Sequence, residues 1–204
     1  MSASGEYGLI ETMHPTGGVS TRPPWVRAPE PMILGNGAAV RLRAIRPDDA
    51  PRLLALCDRL SPRTVYQRFF TTRRLRPADA NVLANVDYDE RMAIVANVDD
   101  GHDSALIGVA RYAPSDDGTT EVALVVADAW QGLGLGSLLL EALLRAGGER
   151  GIHEFSADVL AENRQALRLL GRHTTITARR LEHGVVHLLF GRLSAVETAT
   201  ARAS

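Results

Sequence analysis

Residues 120 to 150 constrain the fold more than any other stretch of the chain. Glu121-Val122-Ala123-Leu124-Val125-Val126 has the apolar character of a buried strand, and it leads through Asp128-Ala129-Trp130 to Gln131-Gly132-Leu133-Gly134-Leu135-Gly136-Ser137. Directly after the glycines, Leu139, Leu140, Leu143 and Leu144 recur at the spacing of one helix face, which predicts a helix over 135–150. Strand, glycine-rich turn and long helix, in that order, suit a diphosphate for physical reasons. Glycine accepts positive φ and leaves no side chain between backbone and ligand. The N–H groups of a first helical turn have no intrahelical acceptor, and the helix dipole favours an anion there. Successive amides curled in this way form a nest for phosphate oxygens.

The spacing of the glycines excludes the two common nucleotide loops. It is G-x-G-x-G, whereas a dinucleotide fingerprint needs G-x-G-x-x-G, and Ser137 or Leu139 stands where its last glycine belongs. A Walker loop ends in Gly-Lys-Ser/Thr, and this chain has no lysine, since all 23 Lys+Arg residues are arginine.

The flanking pattern places this unit in an alternating α/β chain. Residues 39–45 read as a strand with Val40 and Leu42 on one face. Pro47-Asp48-Asp49 opens a helix that runs through Leu53, Leu56 and Leu60 to the break at Ser61-Pro62. Shorter helices follow over 62–70 and 77–85, then strands over 92–98, 105–112 and 120–126. Asp99-Asp100-Gly101 and Asp116-Asp117-Gly118 lie between those strands as hairpin turns. Beyond the long helix come a strand over 155–159, a helix over 163–170, and two strands over 174–179 and 185–193 around Glu182-His183-Gly184. The order βααα-βββ-α-β-α-ββ describes a mixed sheet with helices on both faces.

A length of 204 residues suits one domain with a full core. The segment 1–37 carries Pro15, Pro23, Pro24, Pro29 and Pro31 among several glycines, which opposes helix and sheet alike, so it is expected to be a flexible tail. Trp25, Val26, Met32 and Ile33 are the residues by which it could dock instead. The domain is expected over 38–194, with a frayed C-terminal tail over 195–204. A net charge of -1 gives no general attraction to nucleic acid or to an anionic membrane. Cys57 is the only cysteine, excludes an internal disulfide and sits in the apolar pattern of Leu53, Leu56 and Leu60 as core filler. The start of the chain lacks the charge and apolar run of a secretory signal, and no apolar run reaches the roughly 20 residues of a membrane span. A cytoplasmic location is expected. His183 and His187 are four apart on a turn and a strand without a matching set of ligands, so no metal is expected. Sequence alone sets no oligomeric state.

The spacing Q-x-x-G-x-G of Gln131, Gly134 and Gly136 resembles the pyrophosphate loop of the GNAT acetyltransferases, and Asn163 with Ala166 resembles that family's Asn-x-x-Ala helix start. Taken singly, a glycine turn and a helix N-cap would account for these residues. Together, in order, they extend the resemblance over about residues 39–193. It implies an α/β (α+β) fold with a mixed, mostly antiparallel central sheet. It also implies acetyl-CoA as cosubstrate, held by the backbone of Gln131, Gly132, Leu133, Gly134, Leu135, Gly136 and Ser137. Leu124, Val125 and Val126 would pair with the pantetheine arm, and Asn163 would contact the cofactor.

Many members of that family carry a tyrosine acid seven residues after the asparagine, where this chain has Leu170, and a Gly-Phe where it has Gly171-Arg172-His173. Water would then reprotonate the departing thiolate, a tolerable leaving group with pKa about 8.5. Glu121 is the candidate general base, at the start of a strand on one face with Ala123 and Val125. The run Leu60-Ser61-Pro62 with Tyr66-Gln67-Arg68-Phe69-Phe70 is similar to a Ser-Arg-Tyr-x-Arg-Phe-Phe segment of Pat-type bacterial protein lysine acetyltransferases, with Thr64 and Val65 in place of Ser-Arg. That resemblance puts Tyr66 and Arg68 on the substrate side, a glutamate at Glu121 as base, and a protein lysine, such as one on an acyl-CoA synthetase, as acceptor. The alternatives are a small-molecule amine as acceptor, or a catalytically weak acyl-CoA sensor or interaction module.

Overall fold

The computed structural model describes residues 31–98 and 105–193. Eight strands form one sheet in the order β1-β2-β3-β4-β5-β6-β8-β7. They are β1 (Met32–Ile33), β2 (Ala39–Ala44), β3 (Met92–Val98), β4 (Leu106–Pro114), β5 (Thr120–Val126), β6 (Glu154–Leu160), β7 (Thr174–Glu182) and β8 (Val185–Arg192). Every pairing is antiparallel except β5 with β6. The helices are α1 (Ala50–Asp58), α2 (Pro62–Phe69), α3 (Pro77–Ala84), α4 (Leu135–Gly148) and α5 (Arg164–His173). This is the expected mixed, mostly antiparallel sheet with helices on both faces.

Period-two alternation sends the strands' side chains into two cores. On one face, Leu135, Leu139, Leu140, Leu143 and Leu144 of α4 pack on Ile94, Tyr112, Val122, Phe155 and Phe190. On the other, Leu53, Leu56 and Cys57 of α1 with Leu83 of α3 cover Val95, Val109 and Val125. The entry into α1 is a 3-10 turn at Pro47–Asp49. Its acid Asp49 is fully buried, accepting hydrogen bonds from Arg43 Nη2 at 2.7 Å and from the Arg46 N–H at 2.8 Å.

One expectation is corrected at the N-terminal side. Within the segment 1–37, Met32 and Ile33 pair with Val40 and Ala39 as an edge strand, and Leu34 is buried at 4 % exposure. The pairing needs only the turn 34–38, where Leu34 N–H donates to Ala38 O and Gly37 takes φ 82°. Proline density forbade a long element there, not a two-residue one. Residues 1–30 of that segment, the turn at Asp99-Asp100-Gly101 and the tail 195–204 lie outside the described residues.

The feature that positions a site is the join between β5 and β6. These strands meet at one Cα pair, Glu121 with Ser156, and part from there.

Candidate active site

Backbone alternation decides what the parted strands present. Ala127 N–H donates to Ile107 O, so that residue faces β4. Even-numbered residues of β5 therefore turn their N–H and C=O the other way, toward the gap beside β6. The Val126 carbonyl there accepts from Gln131 Nε2 at 3.0 Å. Leu124 keeps its N–H and C=O toward the gap without a β6 partner.

The loop after β5 is pinned from the opposite helix layer. Asp128 Oδ2 accepts from the Ser61 N–H at 2.9 Å, and Oδ1 accepts from Ser61 Oγ and Thr64 Oγ1, each at 2.7 Å. Burial pushes the Asp128 carboxyl up, but these hydrogen bonds from Ser61 and Thr64 outweigh it and hold it below the usual range. Gly132 and Gly134 then take φ of 76° and 91°, which turns the backbone into α4. An added Cβ at either glycine would meet nothing within 4 Å, so the backbone there faces open space.

The result is a cleft of about 340 Å³. Its floor is Leu124–Val126, one wall is Gly132, Gly134, Gly136 and Ser137, and the other is α5 with Asn163, Arg168, Leu169 and Arg172. Thr64, Gln67 and Arg68 of α2 also line it. Leu133 and Leu135, predicted with the glycines, do not line the cleft. Leu133 packs on the core and its carbonyl accepts from the Gly35 N–H at 3.4 Å, while the Leu135 side chain is fully buried. Asn163 lines the cleft and also caps α5, its Oδ1 accepting from the Ala166 N–H at 3.1 Å.

Glu121 does not itself line the cleft; it stands on β5 three residues before the floor, on the side of Ala123 and Val125, where its charge interacts with that of Arg68. Burial pushes its carboxyl from 4.5 to about 7, against the lowering influence of Arg68 and with Asp158 and Asp117 adding to the rise. Arg68 lies over the Phe69 ring, 4.8 Å from its centroid. Tyr66, grouped with Arg68 on sequence, is 43 % exposed and does not line the cleft, because α2 turns it outward. A glycine-rich helix start and a strand edge with a free backbone thus lie along one groove, and Glu121 precedes its floor on the same strand.

Comparison with known proteins agrees with this geometry. The profile of the acetyltransferase (GNAT) family matches residues 60–173. The chain belongs to the GNAT family. It is 33 % identical to an acetyltransferase of Pseudomonas aeruginosa over 133 residues, 64 % of this chain and 72 % of that one. It is 31 % identical to the acetyltransferase Pat of Mycolicibacterium smegmatis over 74 % of its own length, but spans only 45 % of that protein. The GNAT domain of S. lividans PAT superposes with a TM-score of 0.74 at 32 % identity, covering 84 % of this chain and 99 % of that one. The protein is therefore an acyltransferase.

Several residues at this site stand out in no sequence motif. Arg168 and Arg172 reach the cleft from one face of α5, and their i, i+4 spacing after Asn163 was the available signal. Asp128 and Thr64 form the brace between α2 and the loop, 64 residues apart in sequence, and only the fold brings them together. Leu170 is buried at 6 % exposure, so the place of the usual tyrosine acid belongs to the core. Burial pushes the Cys57 thiol up to about 11, as suits a core residue. His187 Nδ1 pairs with Asp158 Oδ1 at 2.7 Å. Among the described residues, no group of three or more His, Cys, Asp or Glu is placed to hold a metal, and no helix is long and apolar enough to cross a membrane.

Proposed function

We propose that this acyltransferase is an acetyl-CoA-dependent N-acetyltransferase acting on a primary amine, first a protein lysine, with Glu121 as general base. The residues present fit the cosubstrate. The amides of residues 132–137 suit the diphosphate, and Arg168 and Arg172 add the positive charge that phosphates require. Leu124, Val125 and Val126 suit the extended pantetheine arm, with the Leu124 N–H as a donor to the thioester carbonyl.

The observation that carries the mechanism is a carboxyl titrating at about 7 on β5, three residues before the groove's floor and within the influence of Arg68, which lines the groove. An amine with pKa about 10.4 is charged at neutral pH and must lose a proton before its nitrogen attacks the thioester carbon. Glu121 takes that proton. The C–S bond then breaks, and with Leu170 in the core the thiolate takes its proton from water. The Pat relatives support a protein lysine as acceptor. In that reading the missing lysine of this chain leaves it no ε-amine of its own to modify.

Glu121→Gln keeps shape and hydrogen bonding but removes the basic oxygen. Turnover on the acceptor is expected to fall by about 10² to 10⁴, with acetyl-CoA affinity nearly unchanged and the loss shrinking as pH rises. Thiol release and peptide mass spectrometry with a lysate and a panel of free amines measure this and separate protein from small-molecule acceptors. A wild-type rate for Glu121→Gln near pH 7 would reduce Glu121 to a strand residue. Leu170 favours a second reading, a weak enzyme that senses acyl-CoA, and that reading predicts tight acyl-CoA binding without turnover on any amine.

A further inference from the structure

Arg111 is the most unusual residue of the sheet. It lies on β4 opposite Ala123, on the face of Val109 and Val125, and is buried at 3 % exposure. Its Nε and Nη2 are both buried and have no hydrogen-bond partner. A guanidinium is costly to bury and costlier still with idle donors. The two idle atoms are also the pair whose N–H bonds run parallel, the fork that grips both oxygens of a carboxylate.

We infer that this buried fork is a carboxylate-binding site opening off the acyl end of the cleft. A void of about 20 Å³ adjoins Arg111 and is walled by Val109, Val125, Phe69, Cys57 and Arg68. Arg68 and Val125 also line the larger cleft, so they form the partition between the two spaces. The void itself admits one water-sized group, and a carboxylate needs the half-buried Arg68 to swing from its place on Phe69. The charges favour such a guest. Arg68 and Arg91 bear on Arg111 with the same sign and Glu121 alone with the opposite one, while the Cys57 thiol stays neutral. Burial, followed by Arg68 and Arg91, lowers the Arg111 pKa to about 9, and a bound carboxylate would relieve that stress. Apolar walls with a cationic end suit a short aliphatic chain ending in a carboxylate. A phosphate is bulkier and has its own cradle at the other end of the groove.

This inference rests on the reading that the cleft takes acyl-CoA with its acyl end at Leu124 and Val125. The carboxylate has two sources, the far end of the acyl group or the acceptor. Calorimetry on the full chain separates them. One arm compares succinyl-CoA with butyryl-CoA, which has equal chain length and no carboxylate. The other compares free lysine with lysinamide on protein saturated with CoA.

A preference of about 10- to 100-fold for the carboxylate ligand is expected in one arm, the order of a charge-assisted hydrogen-bonded pair. Arg111→Met should erase it with CoA affinity unchanged, and Arg111→Lys, which keeps the charge but not the fork, should retain only part of it. Equal affinities in both arms of the wild-type protein, or a preference that survives Arg111→Met, would overturn the assignment. Should neither variant fold, the wild-type comparison alone decides. Failure to bind CoA itself would instead sink the reading of the cleft.

Discussion

Burial moves the Glu121 carboxyl from 4.5 to about 7, so between those values the folded chain keeps a proton that the unfolded chain has released. A carboxyl raised in this way makes folding less favourable as pH climbs through that window, and the cost stays in full above it. Glu121→Gln should therefore be more stable than wild type at pH 8, by an amount on the order of 3 kcal/mol, and equal to it near pH 4. Urea unfolding at the two pH values checks the sign, and a constant difference would mean that Glu121 does not titrate as described. The proposed role of Glu121 as a base would make this loss of stability a trade for function. Asp49 behaves oppositely. Burial alone would raise its carboxyl, but hydrogen bonds and charge from Arg43, with the Arg46 N–H and Arg52, hold it below the usual range. Its contribution is present above that range and is lost as acid protonates it. Asp49→Asn leaves Arg43 half-buried without its charge partner and is expected to cost roughly 3 kcal/mol at neutral pH, read from chemical denaturation.

Helix α4 meets the sheet so closely that two neighbouring glycines have opposite roles. A Cβ at Gly147 would lie 2.6 Å from Phe155 Cζ, whereas one at Gly148 would meet nothing within 4 Å. Gly147→Ala is expected to cost about 1–3 kcal/mol through overpacking, and Gly148→Ala to gain roughly 0.5–1 kcal/mol of helix propensity. Equal shifts in thermal unfolding would contradict this packing. The same contact appears on β4, where a Cβ at Gly108 would stand 2.9 Å from Leu139 Cδ1. The leucine periodicity made the helix and its buried face legible in the sequence. It did not show which glycines lie under that face, because a close approach depends on a partner strand, not on the helix itself. Likewise Tyr66 and Arg68 looked alike as substrate-side residues, and only the docking of α2 sent one outward and the other into the cleft.

At the scale of the whole molecule, the N-terminal edge and the glycine loop after β5 are one structure. Leu34 is buried against the α4 side of the sheet, and the Gly35 N–H donates to the Leu133 carbonyl inside the glycine loop. Leu34→Ala is therefore expected to cost about 2 kcal/mol and to weaken CoA binding several-fold, as measured by denaturation and calorimetry. Unchanged affinity would separate the loop from β1. Local patterns in the chain already determined the element order from β2 onward, the glycine-rich turn and the acid at the head of β5, because hydrophobic period, glycine placement and capping act over a few residues. The parting of β5 from β6, the Asp128 brace, the two arginines beside Glu121 and the idle fork of Arg111 were decided by tertiary structure alone. Each depends on burial and on charges from distant segments, and desolvation, the largest influence on Glu121, exists only once the sheet and α2 have closed around it.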